Sequence, residues 1–263
     1  MSTATNGDVE LLYETAGEGP TVAFVEPVGF GAWCWSWLVE ALAGPVETLV
    51  WDLRGTGRSS APPGPYDVAT LAEDLGAVLA DHGARSVHLV GAGLGGMVAM
   101  QYALENDRAK TLTLLGTTAD GARVTTAALN SMAAPTDDLA ALRDSLRAAV
   151  SKGVVEDHPE VVDRIVAWRR TDDADLAAWD AQVAAMTGFD CSDRLYELTA
   201  PALVCHGAED GVVPLAAGRE LADGLPRGQF TEIDAGHLVA VEEPAAVEDA
   251  LTAFLADAGD VEL

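Results

Sequence analysis

The chain is short of cations. Its 263 residues carry 15 Lys and Arg against 42 Asp and Glu, a formal net charge of −27, and the only lysines are Lys110 and Lys152. Nucleic acid and anionic membrane surfaces are excluded as partners, because phosphate binding rests on clustered Lys and Arg. An acidic excess of this size repels itself at low ionic strength. Adaptation to a salt-rich cytoplasm accounts for it best; an ordinary acidic bacterial protein is the other reading. Cysteine is scarce as well. Cys34, Cys191 and Cys205 lie far apart, which gives neither metal-ligand spacing nor the even count of a disulfide framework. No run approaches the ~20 apolar residues of a membrane span without glycine or charge. Met1 to Asp8 shows neither a basic n-region nor an apolar h-region, so no secretory leader is expected and the cytosol is the expected location. Oligomeric state is not readable from the residues.

What the chain does have is an alternation of apolar runs and helix-like segments. Strands are expected at Val9 to Glu14, Thr21 to Val25, Glu47 to Trp51, Ser86 to Val90, Thr111 to Leu115, Ala202 to Cys205 and Phe230 to Ile233. Helices are expected near 68–80, 96–106, 215–223 and 244–256, giving the βα alternation of a mostly parallel sheet. Between Gly116 and about Phe189 the alternation stops and only helical spacing remains. Asp137 to Val150, Pro159 to Trp168 and Asp173 to Met186 are the expected helices there, with Pro159 suited to a first turn. Arg169-Arg170 reads as a solvated helix end, or less readily as a greeting for an anion. The tail from Asp257 to Leu263 is expected to fray.

A further lack carries the most information. Gly-Ala-Gly-Leu-Gly-Gly at 91–96 joins an apolar strand to a helix-like run. Strand, tight glycine turn and helix form a nucleophile elbow, G-x-S-x-G, yet the serine position here holds Gly93. Four more segments stand in order around it: Glu26-Pro-Val-Gly29 after an early strand, Asp52-Leu-Arg-Gly-Thr-Gly57, Gly207-Ala-Glu-Asp210, and Ala235-Gly-His237. Nearly the whole chain therefore resembles the α/β-hydrolase superfamily, whose order is elbow, acid, histidine. Gly91, Gly93 and Gly96 also fit a dinucleotide fingerprint, but that motif belongs at the first βα turn of its unit, and here several strands precede it.

The resemblance implies an α/β-hydrolase fold, with a core over 1–116 and 190–263 and a helical cap over 117–189. It implies His237 as general base and Asp210 as the acid that orients it, with Glu209 as the neighbouring alternative. It also implies an oxyanion hole from the backbone N–H groups of Val28 and Leu94. Trp33, Met132, Trp168, Trp179 and Met186 are candidates to line a substrate pocket, or simply to glue cap to core. Glu26 stands where the family usually has histidine or a small polar residue. If buried beside Gly93, it would have a raised pKa and serve as a general acid, or hold a water against His237; the alternative is a glutamate bonded to loop amides. Cys34 is a minor candidate for a replacement nucleophile, and Cys205 reads as inert. No cofactor is expected. The expected activity is direct activation of water, or proton abstraction, on a small apolar carbonyl or ester-like substrate. Two rivals remain: a ligand-binding protein without turnover, and a serine ester hydrolase whose nucleophile has been replaced by glycine.

Overall fold

Every run read as a strand enters one eight-stranded sheet in the computed structural model, which describes residues 1–42, 44 and 46–258. In chain order the elements are β1 (Ser2–Asn6), β2 (Val9–Ala16), β3 (Thr21–Val25), α1 (Ser36–Leu42), β4 (Glu47–Trp51), α2 (Val68–His82), β5 (Val87–Ala92), α3 (Leu94–Glu105) and β6 (Ala109–Leu115). Helices α4 (Thr126–Ser131), α5 (Leu139–Ser145), α6 (Val154–Asp157), α7 (Pro159–Asp172) and α8 (Leu176–Gly188) follow. The chain then returns to β7 (Ala202–Gly207), α9 (Leu215–Gly224), β8 (Gly228–Ile233), α10 (Val239–Glu242) and α11 (Pro244–Asp257). Residues 259–263 of the tail expected to fray lie outside the described residues.

The strand order is β1-β2-β4-β3-β5-β6-β7-β8. β1 and β2 pair antiparallel, β2 meets β4 antiparallel, and all pairs from β4 to β8 are parallel. Helices cover both faces of such a sheet, so its central strands have no wet side. Accordingly β5 and β7 are buried at every residue. The carboxyl ends of β3, β5, β6, β7 and β8 share one edge, where open parallel sheets carry their ligands.

Local chemistry sets several boundaries. Asp67 caps α2 by accepting from Thr70 N–H at 2.7 Å, and Asp175 caps α8 by accepting from Ala178 N–H at 2.8 Å. That cap starts α8 at Leu176 rather than at Asp173, because Asp173 is engaged elsewhere. The helix expected over 137–150 is shorter: α5 ends at Ser145 and a 3-10 turn over Leu146–Ala148 follows. β1 escaped the sequence reading because Ser-Thr-Ala-Thr-Asn has no apolar alternation; it is an edge strand of the kind that stays polar. Its turn is two residues, Gly7 and Asp8, between the paired Asn6 and Val9. Among the described residues, no helix is long and apolar enough to cross a membrane.

Candidate active site

Gly93 sits between β5 and α3 with φ 50° and ψ −114°, a backbone state that glycine enters freely and other residues enter only under strain. Its N–H donates to Leu115 O at 2.9 Å, and its carbonyl accepts from Thr117 Oγ1 at 2.6 Å. The turn is thus pinned to β6 and to the loop after it. A Cβ at this position would lie 3.3 Å from His237 Nε2 and 3.4 Å from Pro27 Cβ. Leu94 begins α3, so its N–H is one of those a helix leaves unpaired at its start.

His237 comes from the loop between β8 and α10 and is buried. Its Nδ1 lies 2.9 Å from Asp210 Oδ2. A carboxylate accepts, so Nδ1 carries the proton and Nε2 presents its lone pair toward Gly93. The other oxygen, Asp210 Oδ1, accepts from Val212 N–H at 2.8 Å and Val213 N–H at 2.9 Å. Glu209, the alternative acid, is exposed and points to Lys152 N–H. Gly116, at the end of β6, gives the pair its room: a Cβ there would meet Asp210 Oδ2 at 3.2 Å and His237 Nδ1 at 3.4 Å. The Glu242 carboxylate accepts from Gly236 N–H at 3.0 Å and Ser151 N–H at 2.9 Å, which fixes the loop beside His237.

Glu26 is fully buried and neither carboxyl oxygen has a hydrogen-bond partner. Burial, reinforced by Asp52, raises its pKa well above the ordinary glutamate value; the N–H groups of Glu26 and Leu53 pull the other way without reaching hydrogen-bond geometry. These neighbours lie on the β4 side. The side chain that approaches Gly93 from this segment is that of Pro27. Glu26 has the burial and raised pKa expected from the sequence. Cys34 is buried and its thiol is pushed well up by burial, with Glu26 and Asp173 adding to it. Burial likewise pushes Cys205 up to about 12. Both remain thiols near neutral pH.

The loop after β3 is held from above by α8 and the end of α7. Gly29 N–H donates to Gln182 Oε1 at 2.7 Å, and Gln182 Nε2 donates to Arg54 O at 3.0 Å. The Gly29 N–H is thereby engaged within the protein. Asp173 accepts from Trp33 Nε1 at 2.8 Å and from Gly31 N–H at 3.2 Å. Its other oxygen pairs with Arg169 Nε at 2.6 Å. Arg169 is 1% exposed, so it is no solvated helix end. Its remaining donors go to Leu142 O, Ser145 Oγ and Met132 O, with its guanidinium over the Phe30 ring.

Of the residues proposed to meet substrate, Met132, Met186 and Trp179 are buried in packing, with Trp179 lying across Gly29. Trp33 stacks on Trp168 with ring centroids 6.0 Å apart. These two line a cavity of about 400 Å³ together with Asp52, Arg58 and Asp172. The sequence reading brought Gly93, His237 and Asp210 to one place and missed Gln182, Pro27 and Gly116. Only Gly116, at the end of a strand, left a local signal.

A sequence profile described as the alpha/beta hydrolase family matches residues 27–250. A protein of Azorhizobium caulinodans that bears the provisional name carbamate hydrolase RutD is 26% identical, over 97% of this chain and 98% of that protein. 3-Oxoadipate enol-lactonase 2 of Acinetobacter baylyi is 26% identical, over 96% of each chain. The crystal structure of the enol-lactonase from Burkholderia xenovorans LB400 superposes with a TM-score of 0.85, at 25% identity, covering 97% of this chain and all of that one. The profile spans most of the chain and the strand order agrees with it: this protein belongs to the alpha/beta hydrolase family.

Proposed function

We propose that the protein is a cofactor-free hydrolase that works without a serine nucleophile, His237 acting as general base on water under the control of Asp210. One observation carries this reading. His237 Nε2 faces the point where Gly93 presents no side chain, while Nδ1 is locked to Asp210. The space a hydroxymethyl group would fill can take a water, whose share of liquid volume is about 30 Å³. Nε2 takes a proton from that water, and the hydroxide oxygen attacks the substrate carbonyl carbon. The electron pair moves to the carbonyl oxygen, which meets the N–H groups of Leu94 and Val28. As the tetrahedral centre collapses, the leaving group departs and takes the proton back from His237. Asp210 holds the ring in the tautomer this needs and stabilises the imidazolium.

Residues 117–189 serve as the cap and 1–116 with 190–263 as the core. Substrates are small, largely apolar carbonyl compounds. The relatives' names make carbamates and lactones the first to assay, with short aryl esters beside them. Glu26, buried and with its pKa raised, serves as a general acid or holds the water against His237.

The test is turnover on that panel in ¹⁸O-labelled water, with intact-protein mass spectrometry during the reaction. The expected result is label in the product acid, no acylated protein, and a loss of about 10²–10⁴-fold in His237→Ala. An acylated protein would place a nucleophile elsewhere in the chain. Binding of panel compounds without turnover would make the protein a ligand carrier.

A further inference from the structure

A third side chain lies beneath Asp210 and His237. His206, near the end of β7, is fully buried. Its Nε2 lies 2.9 Å from Val213 O and 3.4 Å from Asp210 Oδ2, the oxygen that accepts from His237. A carbonyl only accepts, so Nε2 carries the proton. Nδ1 is buried without a partner, and the ring edge rests on Gly218 of α9. Burial lowers the His206 pKa and His237 adds to this, while Asp210 and the Val213 carbonyl oppose it. The ring is therefore neutral near pH 7. Across the sheet its register partner is Glu232, whose carboxylate pairs outward with Arg219.

We propose that His206 is a positioning residue for Asp210: its Nε2–H, bonded to the Val213 carbonyl, lies 3.4 Å from Asp210 Oδ2 and keeps that oxygen aimed at His237. The inference rests on the reading of His237 as base and Asp210 as its orienting acid. Both donors to Oδ1, Val212 N–H and Val213 N–H, belong to the same turn as Asp210. The main chain of that turn is held by Ala208 N–H on Ile233 O and Asp210 N–H on Gly207 O. Of the groups beside the carboxylate itself, His206 is the one that comes from a strand. Its neutrality matters for the chemistry. A cationic ring at this place would compete for Oδ2 just as His237 gains its proton. A neutral N–H orients the oxygen and leaves the charge to the His237 imidazolium.

The experiment compares wild type, His206→Leu, His206→Gln and Gly218→Ala. Leu removes the donor, Gln keeps one at a similar reach, and a Cβ at residue 218 pushes the ring aside from a helix that otherwise tolerates alanine. The readout independent of turnover is the downfield ¹H NMR signal of the His237 Nδ1–H, assigned by its loss in His237→Ala. It should be sharp in wild type and His206→Gln, shifted in Gly218→Ala, and broadened or lost in a folded His206→Leu. If the panel above gives turnover, kcat should fall about 10²-fold in His206→Leu with KM little changed, as expected for a displaced catalytic group, and recover in His206→Gln. Wild type that shows the signal but no turnover would sink the proposed hydrolysis and leave His206 to be judged by NMR alone. An unaltered signal in folded His206→Leu would overturn the proposal. If that variant does not fold, an unaltered signal in Gly218→Ala would do so.

Discussion

At the scale of single residues, Gly93 and Glu26 are the positions on which the proposed serine-free mechanism turns, and each makes a measurable difference. Gly93→Ser places a side chain in a backbone state with φ 50°, so it should cost about 1–3 kcal/mol of stability. It should also place a hydroxyl next to His237 Nε2, in reach of the oxyanion donors proposed above. Ester hydrolysis should then appear or rise, now with an acylated protein detectable by mass spectrometry, and vanish in Gly93→Ser with His237→Ala. A folded, inert Gly93→Ser would mean that the surroundings no longer accept an acyl group at this position. Glu26 is read through pH. Its folded pKa is raised by burial, so above the ordinary glutamate pKa the unfolded chain releases a proton that the folded chain keeps. Stability tied to this group therefore falls as pH rises from about 4.3 toward the folded value. Glu26→Gln should remove that part of the slope and gain stability toward alkaline pH, seen by chemical denaturation at several pH values. An unchanged slope would show that Glu26 ionises alike in both states.

At the scale of elements, α7 and α8 act as clasps on the loop after β3. Arg169→Met should cost about 3–5 kcal/mol, because it leaves Asp173 buried without its cation. Burial already raises the Asp173 pKa, and Arg169, Trp33 and Gly31 are what oppose it. Gln182→Leu should cost about 1–3 kcal/mol, since it strands the Gly29 N–H and the Arg54 carbonyl in the interior. It should also reduce turnover by loosening the Val28 donor. Urea unfolding measures the first effect, and kcat on the best substrate of the panel the second. These clasps mark the limit of what the residues alone could tell. Asp210 and His237 were legible because each stands a few residues past a strand end, in a fixed order. Gln182 is 153 residues from the glycine it holds, and no local pattern encodes that meeting. Arg169 looked solvated because it stands beside Arg170 at a helix end in an acidic chain; only its bonds to Leu142 O, Ser145 Oγ and Met132 O show that it is buried. β1 was lost for the opposite reason, as a strand with no apolar face to reveal it. The helical identity of the stretch after β6 was readable from spacing, but not its breaks, which depend on which carboxylates are free to cap.

At the scale of the whole molecule, charge decides. Several surface arginines are already matched to acids: Arg58 with Glu14, Arg123 with Glu220, Arg147 with Asp144 and Arg194 with Glu197. Such exposed pairs contribute roughly 0–1 kcal/mol each, and salt weakens them. Against them stands an excess of 27 negative charges, whose mutual repulsion grows with the square of the net charge and is carried by every folded molecule at low salt. The screening length is about 30 Å at 0.01 M, comparable with the whole protein, and about 3 Å at 1 M, shorter than the spacing of most surface charges. Screening therefore removes more repulsion than attraction, and the melting temperature should climb between these two concentrations. Thermal melts in sodium chloride, repeated in sucrose at matched water activity, separate screening from solute exclusion, because sucrose strengthens burial without touching charge. A rise confined to the salt series identifies repulsion as the cause. A melting temperature that stays level or drops with salt would mean that the matched pairs outweigh the unmatched acids. The acidic surface would then owe nothing to a need for salt.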